Sequence, residues 1–191
     1  MTLYLHDFLL HSRANGPGVR SVVWVQGCPR RCKGCWNPAS LEFNTRQPVQ
    51  PEELADKIVA ADKAVGGTLA GATFSGGEPF SQARQLAELA RMTRAKIGRE
   101  SFSIVCFTGF VLEKLIEDDH RALLAQIDLL IDGPYAEKLR STNRPLCGSS
   151  NQRLHFMTNR IKSEDLRERI ASEITLRPDG TLVSTGFPET W

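Results

Sequence analysis

Residues 21–38 read SVVWVQGCPRRCKGCWNP. The first six residues are mostly β-branched or apolar and have glycines close to both ends, which predicts a buried strand over Ser21–Gln26. Three cysteines follow in a C-x3-C-x2-C pattern: Cys28, Cys32 and Cys35. A tight group of cysteines in a reducing compartment indicates a metal or cluster site, and this group lies in the loop directly after the strand.

The cysteine spacing suits an iron–sulfur cluster. Three thiolates on one short loop can bind three irons of a [4Fe–4S] cluster and leave the fourth iron without a protein ligand. Arg30, Arg31 and Lys33 lie in the same loop and would offset the negative charge of the cluster. Zinc is an alternative, but a closed structural zinc site needs a fourth cysteine or histidine. The candidates for that ligand are Cys106, Cys147, His6, His11, His120 and His155. A coincidental run of structural cysteines is the third interpretation.

Length and composition limit the function classes. The chain has 191 residues, of which 41% are hydrophobic and 24% charged, and this is enough for one domain with a real core. A net charge of +2 gives no basic surface of the kind that nucleic-acid binders carry. Apolar runs fall far short of the roughly 18 residues that cross a bilayer. The N-terminus lacks the pattern of a secretory signal. We therefore expect a soluble, cytoplasmic protein that binds neither nucleic acid nor membrane.

Beyond the first strand, apolar strands alternate with helical patterns. Further strands are predicted over Leu69–Phe74, Ser101–Phe107 and Ile127–Ile131, helices over Pro51–Ala64 and Ser81–Ile97, and a broken helical stretch over Leu112–Leu124. This alternation implies a parallel sheet built from βαβ units. The tail predicts a helix over Ser163–Ala171 and a hairpin whose turn contains Asp179 and Gly180.

A second motif lies at the end of the second predicted strand, where Ser75 is followed by Gly76, Gly77, Glu78 and Pro79. Two glycines let the backbone approach a ligand closely, and a carboxylate accepts hydrogen bonds from an ammonium group. An ordinary strand-to-helix turn is the alternative interpretation. Ligand sites of parallel α/β folds lie at the carboxyl ends of the strands, where both motifs are predicted.

Together and in this order, the two motifs resemble the radical S-adenosylmethionine superfamily. Residues Asn15–Arg20 are similar to the opening segment of the glycyl-radical-enzyme activases. Gly34 before the third cysteine, and Trp36 and Asn37 after it, are closest to the anaerobic ribonucleotide reductase activating proteins. The later segments with this similarity are Phe107–Phe110, Asp128–Gly133 and Gly148–Arg153. The resemblance spans about residues 6–157 and leaves residues 158–191 as a C-terminal extension with a helix and a hairpin.

The resemblance implies a cofactor set and a role for each motif. The three cysteines would bind a [4Fe–4S] cluster, whose electron cleaves S-adenosylmethionine to a 5′-deoxyadenosyl radical that abstracts hydrogen. Gly76, Gly77 and Glu78 would hold the methionyl ammonium group. Thr108 and Asp132 would bond the methionyl or ribose part, and Trp36 and Asn37 would contact adenine. The alternatives are loop packing for Trp36 and a turn-forming role for Asp132.

The expected fold is α/β, an incomplete (β/α)6-type partial barrel of mainly parallel strands in a single domain over residues 1–191. A complete eight-unit barrel typically takes about 250 residues. By resemblance, the open side would admit a glycine loop of a glycyl-radical-type partner enzyme, with a flavodoxin or ferredoxin as reductant. One alternative is a stand-alone radical enzyme acting on a peptide or small molecule, for which the extension can cover the opening. A non-enzymatic iron–sulfur or zinc module is another alternative, but neither needs the Gly76–Pro79 motif.

Overall fold

The computed structural model describes residues 1–43, 47–167 and 170–187. Over these residues the chain forms nine strands and three α-helices. The strands are β1 (Leu3–Ser12), β2 (Arg20–Val25), β3 (Pro48–Val49), β4 (Gly71–Gly76), β5 (Ser103–Phe107), β6 (Leu129–Asp132), β7 (Arg153–Phe156), β8 (Ser172–Leu176) and β9 (Leu182–Gly186). The helices are α1 (Pro51–Ala64), α2 (Ala83–Ile97) and α3 (Asp118–Leu124).

Seven of these strands form one sheet in the order β3-β1-β2-β4-β5-β6-β7, and β8 and β9 form a separate hairpin. The four central strands, β2, β4, β5 and β6, are parallel to one another. Helices α1, α2 and α3 each lie in the chain between two of these parallel strands. The predicted α/β class with parallel strands is confirmed, and the partial barrel with its six-unit count stays a prediction.

The flanks of the sheet were not predicted. Strand β1 pairs antiparallel with β2 and with β3, and β7 pairs antiparallel with β6. The β1–β2 register shifts between Leu5 and Asp7 and again between Leu9 and Ser12. Such bulges break the alternation of apolar and polar residues by which a strand is recognised in sequence.

The helices follow the sequence signals closely. Helix α1 has the predicted bounds and begins at Pro51, which suits a first helical turn. Helix α2 follows a 3-10 turn over Pro79–Gln82 and ends at Gly98, whose φ of +67° favours glycine. None of the helices in the described part of the chain is long and apolar enough to cross a membrane.

The helix expected over Ser163–Ala171 is wrong in its extent. A 3-10 helix covers Ser163–Leu166, residues 168 and 169 lie outside the described residues, and β8 begins at Ser172. The carbonyl of Ala171 accepts the N–H of Phe187 at 2.7 Å and joins the open end of the β8–β9 hairpin. The predicted hairpin is present, with its turn over residues 177–181.

The two faces of the sheet carry separate cores. On one face, side chains of the parallel strands pack with α1, α2 and α3 in a large core that includes Leu54, Phe74 and Leu86. The second core is smaller and joins side chains of β5 and β6 to Ile161 and Leu166 of the C-terminal extension. Ile161 is only 2% exposed. The extension therefore contributes buried side chains to the sheet.

Candidate active site

A cavity of about 300 Å³ lies at the carboxyl ends of β2, β4 and β5, where the sequence places its two motifs. The predicted site residues that line the cavity are Cys28, Cys32, Cys35, Trp36, Asn37, Gly76, Gly77, Glu78 and Thr108. Among the predicted site residues, the structure leaves Asp132 out of the cavity lining.

The cysteine loop is held by backbone hydrogen bonds at its start. Gly27 N–H donates to Ser40 O at 2.8 Å and Cys28 N–H donates to Leu41 O at 3.0 Å. All three cysteines of the loop are free thiols. Burial raises the pKa of Cys28 and of Cys35, so their deprotonation at neutral pH needs the compensation that metal binding supplies.

The donor set fits a cluster better than a single zinc ion. Within residues 1–43, 47–167 and 170–187, no three cysteine, histidine or acidic side chains are gathered closely enough to hold one metal ion. A zinc site requires its ligands to converge on one point. In a cluster each thiolate binds a different iron, so the three sulfurs need not converge.

The basic residues of the loop have different surroundings. Arg31 forms a two-pronged ion pair with Glu42 at 2.9 and 3.0 Å, and Lys33 lies 3.0 Å from Glu137. Both cations are therefore neutralised locally. The Arg30 guanidinium lies over the Phe110 ring at 5.4 Å from its centroid. Of the three, Arg30 lines the cavity beside the cysteines.

Gly76 and Gly77 allow β4 to approach the cysteine loop. A Cβ on Gly77 would lie 2.3 Å from the carbonyl oxygen of Gly27, and one on Gly76 would lie 2.5 Å from Val25 N. Gly76 also has a φ of +101°, which disfavours any side chain. Gly77 N–H donates to Val25 O at 2.7 Å. The glycines thus bring two backbone segments together at the cavity wall.

Glu78 bridges the ends of β4 and β5. Its Oε1 accepts from Phe80 N–H at 3.0 Å and from the Thr108 hydroxyl at 2.8 Å, and its Oε2 accepts from Gly109 N–H at 2.8 Å. The side chain is 1% exposed, and this burial raises its pKa despite the three donors. A carboxylate has about four lone-pair positions, so one remains for a further donor.

Asp132 is occupied by an ion-pair network. Its carboxylate accepts from Leu112 N–H at 2.7 Å and from the Arg153 guanidinium, and His155 Nε2 lies 3.1 Å away. Burial alone would raise the pKa of Asp132, but the hydrogen bonds from Arg153 and Leu112 hold it below its usual value. The neighbouring Gly133 lines the cavity.

Trp36 lies in an aromatic corner of the cavity. Tyr135 and Phe187 meet its ring edge to face, with centroids at 6.1 and 5.2 Å, and the Arg140 guanidinium lies 4.5 Å from the ring centroid. Trp36 Nε1 is buried, and no acceptor among the described residues bonds to it. A Cβ on Gly148 would lie 2.6 Å from Nε1, so the indole nitrogen faces Gly148, which is not part of the cavity lining.

The comparisons with known proteins agree with this arrangement. The family model described as "4Fe-4S single cluster domain" matches residues 14–155, which include the cysteine loop, Glu78 and Thr108. The chain belongs to this family. The anaerobic ribonucleoside-triphosphate reductase-activating protein of Vibrio cholerae serotype O1 is 33% identical over 153 residues, 80% of this chain and 97% of the relative.

A second curated relative and one solved structure are also similar to this chain. The protein of the same name from Salmonella typhimurium is 30% identical over 80% of this chain and 97% of the relative. QueE from Escherichia coli, a solved structure, aligns with 57% of this chain and 53% of its own at 16% identity and a TM-score of 0.42. The family model and the curated relatives confirm the family that the cysteine and glycine motifs predicted.

The C-terminal extension lies beyond the part of this 4Fe–4S single cluster protein that the family model matches, and it forms one wall of the cavity. Residues 183–187, on and after β9, line the cavity, and the Phe187 ring packs on Trp36 next to Cys35. Asn15 Nδ2 donates to the Thr185 hydroxyl at 2.8 Å, and Arg177 pairs with Asp7 at 2.6 and 2.7 Å. This wall was missed as part of the site, because its contacts join residues 170 positions apart.

Hydrogen bonds through Arg20 and Thr73 fix the Asn15–Arg20 segment, which contributes Asn15 to the cavity lining. Arg20 is fully buried, and its guanidinium donates to Thr73 Oγ1 at 3.0 Å and to Ser103 O at 2.7 Å. Burial lowers the pKa of Arg20 to about 9. The Thr73 hydroxyl donates to Asn15 O at 2.8 Å, which fixes Asn15 at the cavity. Sequence similarity singled out this segment, but its supporting role appears only in the structure.

Proposed function

We propose that this chain is a radical S-adenosylmethionine activase, which abstracts a hydrogen atom from a glycine of a partner enzyme. The observation that carries the proposal is the joint placement of three free thiols and the buried Glu78 carboxylate around one cavity. The curated relatives are named as activating proteins of anaerobic ribonucleoside-triphosphate reductase. That reductase is therefore the proposed partner.

Cys28, Cys32 and Cys35 hold the [4Fe–4S] cluster in this proposal. When bound, the reduced cluster supplies one electron that cleaves S-adenosylmethionine to methionine and a 5′-deoxyadenosyl radical, which takes hydrogen from the glycine Cα and leaves a glycyl radical. The thiol of Cys28 is 7% exposed, so its thiolate is shielded from water. Arg30 adds positive charge at the cavity.

Glu78 receives the methionyl ammonium group at its remaining lone pair. Its three donors fix the carboxylate in one orientation, and burial strengthens a charge-assisted hydrogen bond to a cation. Thr108 acts through Glu78, because its hydroxyl donates to Glu78 and accepts from Phe110 N–H. Gly76 and Gly77 keep the cavity wall free of side chains.

Trp36 and Asn37 face the adenosyl part in this proposal. Both residues line the cavity next to Cys35, and the Trp36 ring offers an aromatic surface there. Asn37 N–H also donates to Cys35 Sγ at 3.4 Å, so this residue joins the ligand loop to the adenosyl side.

The remaining parts of the proposal concern the molecule as a whole. Residues 1–191 form a single domain, supported by the burial of Ile161 and Leu166 against the sheet. The electron comes from a flavodoxin or ferredoxin. The protein is cytoplasmic, because thiolate ligands of such clusters persist in a reducing compartment.

A stand-alone radical enzyme acting on a peptide or small molecule is the second candidate. One observation favours it: residues 183–187 of the extension line the cavity and reduce its opening. An isotope experiment separates the two candidates. The anaerobic ribonucleoside-triphosphate reductase of the same organism, with α-deuterated glycine, is incubated anaerobically with the reconstituted protein, S-adenosylmethionine and a chemical reductant.

An activase transfers deuterium to 5′-deoxyadenosine and leaves a glycyl radical visible by electron paramagnetic resonance. Undeuterated 5′-deoxyadenosine without a glycyl radical contradicts the activase, and hydrogen transfer from a peptide or metabolite instead supports the second candidate. No 5′-deoxyadenosine from a protein with an intact reduced cluster contradicts both. Glu78→Ala should weaken S-adenosylmethionine binding by roughly 1.5–3 kcal/mol and keep the cluster. The control Glu53→Ala, on an exposed side chain of α1 outside the cavity lining, should change neither.

A further inference from the structure

The outer face of the β8–β9 hairpin carries an apolar surface. Ile174, Leu176 and Leu182 are 71, 68 and 67% exposed. Ile174 and Leu176 are two residues apart on β8, so their side chains point to the same side of the strand. Leu176 lies directly opposite Leu182 in the antiparallel pair. The three side chains thus form one surface, the apolar hairpin face.

The hairpin turns apolar side chains to solvent and polar side chains to the rest of the molecule. A strand pair packed on a core normally turns its apolar residues inward and its polar residues to solvent. Here the polar residues face the molecule: Glu173 accepts from Arg13 N–H at 3.0 Å, and Arg177 and Thr185 bond to the sheet side. Neighbouring exposed aliphatic side chains of this kind mark an interaction surface.

We infer that the apolar hairpin face docks the protein whose glycine enters the cavity, and this inference rests on the proposed function. Residues 183–187 of the same hairpin line the cavity, so a protein seated over the cavity opening lies beside the hairpin. A specific interface covers roughly 800 Å² on each partner, which is more than a cavity mouth provides. The apolar hairpin face supplies the adjoining apolar area.

A second copy of this chain fits the surface less well. Three side chains provide only a small part of the roughly 800 Å² per subunit that a stable dimer interface buries. The reductase would contact both the cavity opening and the apolar hairpin face, so the hairpin face has to supply only part of that interface. The family model ends at residue 155, so the docking surface is an addition of this chain to the matched region.

The test measures binding of the reconstituted holoprotein to the anaerobic ribonucleoside-triphosphate reductase of the same organism under anaerobic conditions. Leu176→Asp, and separately Ile174→Ser, should weaken binding, the former by roughly tenfold or more. Formation of 5′-deoxyadenosine with a chemical reductant and no reductase should be unchanged, which shows that cluster and cavity are intact. Ile116→Asp is the matched control, since Ile116 is 64% exposed and does not line the cavity.

Unchanged reductase binding by Leu176→Asp and Ile174→Ser overturns the docking inference, as does a wild-type protein that does not bind the reductase. A wild-type dimer that Leu176→Asp converts to a monomer, with reductase binding unchanged, assigns the surface to a second copy instead. The proposed function fails separately: the wild-type protein binds the reductase, but no glycyl radical forms in it.

Discussion

The cysteine loop and the β8–β9 hairpin both line one cavity, where Phe187 meets Trp36, and they are held in different ways. The loop is fixed by backbone hydrogen bonds, such as Gly27 N–H to Ser40 O and Glu78 N–H to Gly27 O. The hairpin is fixed mainly by side chains, through Arg177 on Asp7 and Thr185 on Asn15. Backbone contacts survive most substitutions, whereas side-chain contacts can be removed singly. Single substitutions should therefore displace the hairpin more easily than the cysteine loop.

The largest expected effect concerns the cysteine loop. Replacing Cys28, Cys32 or Cys35 with Ala should abolish the four-iron cluster and with it all 5′-deoxyadenosine formation, because each thiolate binds its own iron. Iron and sulfide analysis after anaerobic reconstitution measures this. Cys106→Ala and Cys147→Ala are the controls, since both thiols are buried away from the cavity lining, and they should keep the cluster. Stoichiometric zinc without iron in the wild-type protein would contradict the assignment.

The next effect tests whether the segment before the hairpin packs on the sheet. Ile161→Ala should lower the free energy of unfolding by about 2–5 kcal/mol, because Ile161 is 2% exposed and packs in the second core. Urea unfolding of the reconstituted protein measures the change. Ile116→Ala, at a 64% exposed position, should stay within about 0.5 kcal/mol of the wild type. Equal losses for both variants would show that the extension is not packed on the sheet.

At the end of β6, the buried carboxylate of Asp132 pairs with the partly exposed guanidinium of Arg153. Asp132→Asn should cost about 1–3 kcal/mol of stability at neutral pH and leave S-adenosylmethionine binding nearly unchanged. Because the folded-state pKa of Asp132 lies below its ordinary 3.8, its contribution is complete above that pH and is lost as the pH falls through the folded-state pKa.

Urea unfolding of Asp132→Asn and wild type at a series of pH values checks this. The gap between them should be widest near neutral pH and narrow below pH 3.8. A gap that is constant with pH would exclude the ion pair as its source. Loss of S-adenosylmethionine binding at unchanged stability would instead support a direct cofactor contact for Asp132.

The sequence predicted those elements whose signals are local. The central strands are continuous apolar runs because helices and a second core bury both of their faces. Helix α1 is marked by Pro51 and the acidic residues of its first turn. Strand β1 escaped prediction because His6 and Asp7 face the cavity and two bulges shift its alternation.

The residues of the candidate site also divide into those that a contiguous motif indicates and those that only the folded chain brings together. The cysteine loop and Gly76–Pro79 are contiguous motifs, so their residues could be named from the sequence. The ion-pair partner of Asp132 is Arg153, 21 residues away, which no local pattern indicates. The contact between Asn15 and Thr185 joins residues 170 positions apart and depends on how the hairpin folds back.

The smallest expected effect is at that contact. Thr185→Val keeps the shape of the side chain but removes the hydroxyl that accepts from Asn15 Nδ2 at 2.8 Å. Asn15 retains its hydrogen bond to Ser12 Oγ, so the loss should be about 1 kcal/mol. Hydrogen exchange should quicken more in β9 than in the cysteine loop, because the backbone hydrogen bonds of the loop are untouched and the Phe187 ring still packs on Trp36. Ser172→Ala, which removes an exposed hydroxyl of the same hairpin, should change neither. Equal acceleration of exchange in β9 and in the cysteine loop would show that the two segments open together.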